Sequence, residues 1–397
     1  MKITRRLVSL IAIFSMPILL VSAPKSSEKN GKYVAYIGTY TTKTNSKGIY
    51  VFEFDPATGK MTAPQIAVET QDPSFVVISS NGKYVYAVNE AGKNSSVSSF
   101  SRDTKTQKLT LLNQLPALGE DPCFISFDRT GKYVLIANYT SGNVVVFPIL
   151  ADGKLGEHTA LVTDAGALGP NKERQEGPHA HWIQPNISNG TVFVADLGLD
   201  RVLTYQFNSA KGTLGAPPAP SPARPFVQGA LELRPATGPR HVAFSGVVNS
   251  RQSLYVLGEI DSTVTVFAST KEGMFDGAIQ VISTLPAGTT GRNDTAEITI
   301  HPSGKFLYAS NRGHDTIAAF RIDTATGKLT AAGEFSIEGQ EPRNFVIDPT
   351  GGFILVGDQL SDKVVVLRID PTTGALRSTG QSAAVPAPVD IAFVGAK

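Results

Sequence analysis

Several arginines and glutamates in the second half of the sequence lie next to residues that can do acid–base chemistry or bind a ligand. They are Arg240 with His241, Glu259, Glu297, Arg312, and Arg343 with Asn344. A guanidinium binds a carboxylate or a phosphate through two parallel hydrogen bonds, so this set predicts a site for an anionic ligand. The alternative is that the same arginines and glutamates form structural ion pairs that lock neighbouring elements together.

A second candidate is the His179-Ala180-His181 triplet, which would place two imidazoles on one face of a strand. Such a pair could bind a metal ion, but we interpret it as hydrogen-bonded, because two histidines alone make an incomplete ligand set. The sequence has no G-x-S-x-G, H-E-x-x-H or P-loop motif. The serine-hydrolase, zincin and P-loop nucleotide-binding classes therefore lack their signatures.

The elements that must position these residues form a repeat, which is clearest between Ala296 and Thr330. Short alternating apolar runs are separated by Gly, Pro, Asn and Asp turns, the pattern of an antiparallel meander. Related phrases include NGKYVYAVNE at Asn81, TGKYVLIANY at Thr130 and TGGFILVGDQ at Thr350. The period of about fifty residues is typical of β-propeller blades.

The two ends of the chain complement each other. PVDIAF from Pro388 is the opening half of a unit, and GKYVAYIGTY from Gly31 supplies the later strands. We therefore predict an all-β fold: a seven-bladed β-propeller of four-stranded antiparallel blades, closed by pairing of the N- and C-terminal strands. Closure of the ring removes exposed strand edges. A pair of β-sandwiches is the alternative, but the uniform period argues against it.

Equivalent positions of the blades should face the central channel, because the opening strand of each blade is the innermost one. The second residues of the openings are Phe75, Phe124, His181, His241, Glu297, Asn344 and Asp390. The second strands end at Tyr40, Glu90, Tyr139, Leu197, Glu259, Arg312 and Gln359. Polar groups that converge on one axis predict a binding site at the mouth of the channel.

The first residues predict export. A basic start is followed by an apolar run and by Val21-Ser22-Ala23, which indicates a signal peptide over residues 1–23 and a periplasmic or secreted protein. An uncleaved N-terminal anchor is the alternative. The rest, residues 31–397, is predicted to be one domain. It is interrupted by a polar insertion at residues 164–177 and a proline-rich stretch at residues 216–239, and long loops on a rigid scaffold often carry function.

Composition excludes some partners and leaves others open. The net charge is +2, from 36 basic and 34 acidic residues, so no electrostatic surface for nucleic acid is indicated. Cys123 is the single cysteine, so we predict no internal disulfide, and its apolar surroundings predict a buried thiol. After cleavage of the signal no membrane association is expected. The oligomeric state is not predicted.

The phrases GPHAH (Gly177–His181), GPRHVAF (Gly238–Phe244) and HPSGKFLYASNRGHDTIAAF (His301–Phe320) resemble the lactonase-type propellers, as does PRNFVIDPTG at Pro342. That family includes bacterial propeller 6-phosphogluconolactonases and fungal carboxymuconate-cyclising enzymes. The resemblance implies hydrolysis of a small-molecule lactone. It also implies a catalytic set at the mouth of the channel, which consists of His181 (or His179), Arg240, Glu259 and Arg312. The departure from the family is the signal peptide, because 6-phosphogluconolactone is made inside cells.

We expect the two arginines of that set to bind the anionic substituent of a sugar-derived lactone and to stabilise the negative charge on its carbonyl oxygen. Glu259 or His181 would be the general base on water, and the other would protonate the ring oxygen. The neighbouring residues predicted to bind substrate are His179, His241, Glu297, Arg343 and Asn344. Neither a metal ion nor an organic cofactor is predicted.

Two other functions stay open. One is a calcium-dependent propeller lactonase in which Glu297, Asn344 and Asp390 are the oxygen ligands. The other is a secreted propeller without catalytic activity that binds a partner or a polysaccharide.

Overall fold

The computed structural model of the chain describes residues 31–216, 229–248, 251–270 and 275–394. The predicted signal peptide, residues 1–23, lies outside these ranges, as does part of the proline-rich stretch. Within the described residues, no helix is long and apolar enough to span a membrane. Two short 3₁₀ helices, Gly92–Asn94 and Gln359–Ser361, are the helical elements of this part of the chain.

The strands form seven antiparallel sheets arranged as a closed ring, which confirms the predicted seven-bladed propeller. Blade 1 contains β1 (Tyr33–Thr39), β2 (Gly48–Asp55), β3 (Lys60–Met61) and β4 (Gln65–Glu69). Blade 2 contains β5 (Pro73–Ile78), β6 (Tyr84–Asn89), β7 (Ser96–Arg102) and β8 (Leu109–Pro116). Blade 3 contains β9 (Pro122–Phe127), β10 (Tyr133–Asn138), β11 (Asn143–Pro148) and β12 (Ala160–Thr163). Blade 4 contains β13 (Ala180–Pro185), β14 (Thr191–Asp196), β15 (Arg201–Asn208), β16 (Thr213–Gly215) and β17 (Ala230–Glu232).

The remaining blades follow the same plan in chain order. Blade 5 contains β18 (Pro239–Phe244), β19 (Ser253–Gly258), β20 (Thr263–Ser269) and β21 (Phe275–Ser283). Blade 6 contains β22 (Asp294–Ile300), β23 (Phe306–Arg312), β24 (Thr316–Ile322) and β25 (Leu329–Ser336). Blade 7 contains β26 (Pro342–Ile347), β27 (Phe353–Asp358), β28 (Lys363–Ile369) and β29 (Leu376–Ala384). The last strand, β30 (Pro388–Phe393), belongs to blade 1.

Closure of the ring has the predicted form. β30 pairs antiparallel with β1, in a register that sets Ala35 opposite Phe393 and Gly38 opposite Asp390. Blade 1 is therefore built from both ends of the propeller. This geometry also rules out the alternative of two β-sandwiches, because each sheet packs against the next one around a single ring.

The core lies between blades, and each apolar cluster is built from neighbouring sheets. One cluster joins blades 6 and 7 through Phe306, Phe345 and Val365, and another joins blades 7 and 1 through Phe353 and Phe54. Because each sheet buries both faces against its neighbours, a blade has no stable core of its own. Cys123 is buried as predicted, with 6 % exposure, and burial raises the pKa of its thiol.

A repeated tyrosine contact sets the spacing of adjacent blades. Tyr308 of blade 6 donates from its hydroxyl to the carbonyl of Gly374 in blade 7, and Tyr255 of blade 5 donates to Gly327 in blade 6, both at 2.9 Å. Gly374 has φ +77°, and a Cβ there would lie 2.5 Å from the ring of Phe306. The turn therefore needs glycine both for its left-handed backbone and for the close approach of the neighbouring blade.

Candidate active site

The predicted opening positions do converge on the central channel, where they form a closed belt of contacts. The ring centroids of Phe75 and Phe124 lie 4.5 Å apart. The ring centroids of Phe124 and His181 each lie 5.2 Å from that of His241. The polar half begins at His241, whose Nδ1 lies 3.1 Å from Oε2 of Glu297. Aromatic residues therefore fill one side of the belt and hydrogen-bonding residues the other.

The polar half continues through Asn344, which donates to Oε2 of Glu297 at 2.9 Å and accepts from the backbone of Ile391 at 3.2 Å. Asp390 accepts from the backbone N–H of Val76 at 2.7 Å. The second oxygen of Glu297 accepts from the backbone N–H of Ile298 at 2.9 Å. Each of the three residues proposed for calcium thus already accepts a hydrogen bond through at least one side-chain oxygen. Among the described residues, no three His, Cys, Asp or Glu side chains are grouped to hold a metal ion.

Irregular pairing of the opening strands aims adjacent side chains toward the mouth. The register shifts between Pro239 and Val242 in β18, and between Thr295 and Ile298 in β22. Such bulges re-aim side chains next to active sites. As a result, two consecutive residues of β18 lie at different heights in the channel. His241 lies in the belt, and Arg240 lies above the belt against Glu259.

Glu259 is the centre of the upper level, where three arginines surround it. Its Oε2 lies 2.9 Å from Nε of Arg240, and its Oε1 lies 3.2 Å from Nη2 of Arg312 and 2.6 Å from Nη2 of Arg174. Arg240 and Arg312 are also fixed by backbone carbonyls of β22. Glu259, Arg240 and Arg312, all predicted catalytic residues, are therefore held together in one cluster.

The charge state of this cluster follows from its contacts. Burial alone would raise the pKa of Glu259, but Arg312, Arg240 and Arg174 outweigh burial and lower the pKa to about 2. Burial and the neighbouring Arg312 lower the pKa of Arg240 to about 10, against the effect of Glu259. At neutral pH Glu259 is therefore a carboxylate and Arg240 is a cation.

The two histidines of the triplet have different surroundings, because the strand is irregular between Ala180 and Trp182. His179 stacks on Tyr139, with 4.5 Å between ring centroids. Its two ring nitrogens lie 3.0 Å from the Tyr139 carbonyl and 3.1 Å from Oε1 of Glu176. His179 therefore has the hydrogen bonds that we predicted for both histidines of the triplet.

His181 points into the belt instead, and its buried Nδ1 has no hydrogen-bond partner among the described residues. Burial, together with the charges of Arg240 and the neighbouring His241, lowers the pKa of His181 well below its ordinary value. The imidazole is therefore neutral near pH 7. A neutral imidazole with a free nitrogen is able to accept a proton.

Arg343 lies on the other side of the mouth, in blade 7. Its Nη2 lies 2.8 Å from the hydroxyl of Tyr40, and its guanidinium carbon lies 5.2 Å from the centroid of that ring. The Tyr40 hydroxyl donates to Oε2 of Glu90 at 2.8 Å. Unlike the arginines around Glu259, Arg343 has no ion-pair partner in the part of the chain that the structure describes. The Tyr40 hydroxyl links it to the Glu90 carboxylate instead.

The channel below this level is nearly filled. The space bounded by Glu90, Cys123, Arg240, Arg343 and the belt residues is about 10 Å³, roughly enough for one water molecule. A ligand the size of a sugar lactone would therefore bind above the belt, at the level of the arginines.

Arg174 is the site residue that the sequence reasoning missed. The insertion at residues 164–177 stood out as a long polar loop, but it has no counterpart in the other blades. Repeat alignment therefore could not place any of its side chains at the channel. The available signal was weaker: a basic residue in an insertion directly before the GPHAH phrase.

Comparison with known proteins agrees with this architecture. A family model described as "Lactonase, 7-bladed beta-propeller" matches residues 34–393. A Bacillus subtilis protein named 6-phosphogluconolactonase is 33% identical over 315 residues, which cover 79% of this chain and 85% of that protein. A Formosa agariphila protein of the same name is 30% identical over 319 residues, covering 79% of this chain and 85% of that protein.

Solved structures are similar over nearly the whole propeller. The structure described as the Pseudomonas aeruginosa periplasmic gluconolactonase PpgL superposes with a TM-score of 0.83 at 30% identity, covering 91% of this chain and 99% of that one. A Lactobacillus plantarum protein superposes with a TM-score of 0.81 at 32% identity, covering 91% and 99% of the two chains.

Proposed function

This chain belongs to the seven-bladed β-propeller lactonase family, and from that premise we propose that it is an exported enzyme that hydrolyses a sugar-derived, anionic lactone. The observation that supports the anionic substrate is the excess of arginine at the channel mouth. Arg174, Arg240 and Arg312 share Glu259 as their common carboxylate, and Arg343 has no carboxylate partner among the described residues. The four arginines outnumber Glu259 and Asp294, the carboxylates within ion-pair distance of them. Such an excess of positive charge attracts an anionic ligand.

In the proposed reaction, water attacks the carbonyl carbon of the lactone and negative charge develops on the carbonyl oxygen. No described residue accepts a hydrogen bond from Nη2 of Arg240 or from Nη1 of Arg312. These groups are therefore free to donate to that oxygen. Donors fixed before the reaction stabilise such charge without reorganising. Both guanidiniums form ion pairs with Glu259, and carbonyls of β22 accept from Nη1 of Arg240 and from Nε and Nη2 of Arg312.

His181 is the proposed general base, and Glu259 is not. Guanidiniums occupy both oxygens of Glu259, so neither oxygen is free to accept a proton from water. His181 is neutral and has a free ring nitrogen, so it can take the proton from water as the carbon–oxygen bond forms. The resulting imidazolium then gives the proton to the ring oxygen as the ring bond of the lactone breaks. Glu259 aligns the arginines.

The substrate class can be tested by hydrolysis of two lactones that differ in one phosphate. We expect the purified protein to hydrolyse 6-phosphogluconolactone with a lower KM than glucono-δ-lactone. Hydrolysis of neither lactone would favour the alternative of a binding propeller without catalytic activity. Faster hydrolysis of the neutral lactone would contradict the anionic substrate and would favour a reaction like that named for PpgL.

The rival calcium mechanism is tested in the same assay with a chelator. We expect no change in rate, because Glu297, Asn344 and Asp390 each already accept a hydrogen bond through a side-chain oxygen. Loss of activity with chelator, restored by calcium, would assign the protein to the calcium-dependent class. Export is tested separately by fractionating the native host and determining the mature N-terminus by mass spectrometry. An intact Met1 on cytoplasmic protein would contradict export.

A further inference from the structure

We infer that Arg174 recognises the anionic substituent of the lactone and thereby sets the preference for a phosphorylated or carboxylated substrate over a neutral one. The inference rests on the proposed function, because it assigns one residue of the same site to one part of the substrate. Arg240 and Arg312 would then act on the carbonyl, and Arg174 on the charged group that distinguishes one lactone from another.

The position of Arg174 at the mouth is fixed by the insertion that carries it. Gln175 is only 1 % exposed, donates to the carbonyl of Leu197 at 2.9 Å and accepts from the backbone N–H of Asn171 at 3.0 Å. The side chain of Asn171 in turn accepts from the backbone N–H of Arg174 at 3.2 Å. A Cβ at Gly169 would lie 2.2 Å from the Gln175 amide, so that amide packs directly on the loop backbone. The insertion is thus a built part of the mouth.

Exposure separates Arg174 from the other arginines around Glu259. Its side chain is 35 % exposed, whereas those of Arg240 and Arg312 are 3 % and 9 % exposed. A ligand that enters from solvent therefore meets Arg174 before it reaches the deeper pair. Arg174, Arg240 and Arg312 have two carboxylates within ion-pair distance, Glu259 and Asp294, so positive charge is left for a ligand to neutralise.

Arg174 also keeps donors for a ligand. Its Nη2 is held by Glu259 at 2.6 Å and lies 3.4 Å from the hydroxyl of Tyr139. Its Nη1 lies 3.6 Å from Oδ1 of Asp294, which is beyond hydrogen-bond distance, and no described residue accepts from its Nε. Nη2 is therefore anchored, whereas Nε and Nη1 keep N–H groups that can each donate a hydrogen bond to an oxygen of a phosphate or carboxylate.

The test uses direct binding of two probes, 6-phosphogluconate and gluconate, by calorimetry at constant ionic strength. We expect the wild type to bind the phosphorylated probe more tightly. Arg174→Gln should weaken that binding about tenfold to a hundredfold, the usual effect of losing charge-assisted hydrogen bonds, and leave gluconate binding within about twofold. Lys172→Gln is the matched control, because Lys172 is an exposed cation of the same insertion with no contact to Glu259. It should leave both affinities unchanged.

A second pair of variants separates recognition from a structural role. Asp294→Asn removes the carboxylate beside Arg174, so it should tighten binding of 6-phosphogluconate several-fold. The gain should vanish in an Arg174→Gln background. If Arg174 only holds Glu259 in place, Arg174→Gln would weaken the binding of both probes by the same factor. That result would overturn the inference. Equal binding of the two probes by the wild type would overturn it as well.

Failure of this inference differs from failure of the proposed function. A wild type that prefers 6-phosphogluconate through Arg174 but hydrolyses neither lactone would refute the lactonase proposal and keep the recognition site. A wild type that hydrolyses both lactones with equal KM, and whose Arg174→Gln variant does the same, would keep the lactonase and refute the role of Arg174.

Discussion

Replacing Asp358 with asparagine should stabilise the protein, and more so as the pH rises. Asn138 is the last residue of the second strand of blade 3, and Asn311 is the last but one in blade 6. Their amides donate to loop carbonyls at 3.2 and 3.1 Å. Asp358 occupies the same position in blade 7, is fully buried, and has no hydrogen-bond partner for either oxygen among the described residues. It lies against Gly339, where a Cβ would be 2.0 Å from Oδ2. An amide at this position would supply the donor that blades 3 and 6 use.

The pH dependence follows from the buried carboxyl. Burial raises the pKa of Asp358 to about 8, although Lys363 opposes this effect. The folded protein therefore keeps a proton that the unfolded chain, with an ordinary carboxyl pKa of about 4, releases. The contribution of Asp358 to stability is full below about pH 4 and is lost as the pH rises toward 8. Asparagine does not titrate and escapes this loss.

From pH 5 to pH 8 the stability advantage of Asp358→Asn over the wild type should grow by roughly 1 kcal/mol for each pH unit, because the wild type loses the proton-linked contribution of Asp358 over this range. Urea unfolding followed by the fluorescence of Trp182, the single tryptophan of the chain, measures the difference. A variant that is no more stable at pH 8, or that gains the same amount at both pH values, would refute the reasoning.

A matched control is available in the same blade. Asp348 is also buried, but its oxygens accept from the backbone N–H groups of Phe353 at 2.6 Å and Thr350 at 2.9 Å. Asp348→Asn removes one of these acceptors, so it should destabilise the protein at both pH values. If both substitutions stabilise equally, a general charge effect rather than local hydrogen bonding explains the gain.

Three further predictions concern the site and the ring. Arg240→Lys and Arg312→Lys should fold normally but lose roughly a hundred- to a thousandfold in kcat, because lysine keeps the charge and loses the fork; near-normal rates in a lactone assay would leave both as structural clamps. Activity should fall only when the pH drops through the lowered pKa of His181, so a rate constant that already declines at pH 7 would exclude His181 as the base. Removal of the chain through Thr39 should abolish cooperative folding, since β30 loses its partner; an unchanged melting curve by circular dichroism would contradict closure.

The fold was predictable because the repeat leaves little choice. Each phrase is too short to bury its own apolar faces, and the half-unit at Pro388 needs the strands that begin at Tyr33. The belt was predictable for a related reason: equivalent positions in a ring face the same axis. This is why His241, Glu297 and Asn344 could be placed together before their contacts were known.

The charge state of the site was not predictable from the sequence. The surroundings of Glu259 depend on arginines from three separate segments, and one of these, Arg174, lies outside the repeat. The choice between Glu259 and His181 as base therefore needed the ion pairs, which hold Glu259 as a carboxylate. The different surroundings of His179 and His181 depend on a shift in strand register between Ala180 and Trp182, and no turn residue in the sequence indicates this shift.

The pairing of β1 with β30 also sets the order in which the protein can finish folding. Ala35 can pair with Phe393 only after β30, the last propeller strand, has left the ribosome. Contacts between such distant parts of a chain are slow to form, so closure is expected to be the late step of folding. Asp390 enters the belt only with that strand, where it bonds the backbone of Val76. A nascent chain therefore has an incomplete channel throughout synthesis, and hydrolysis would begin only after the ring has closed.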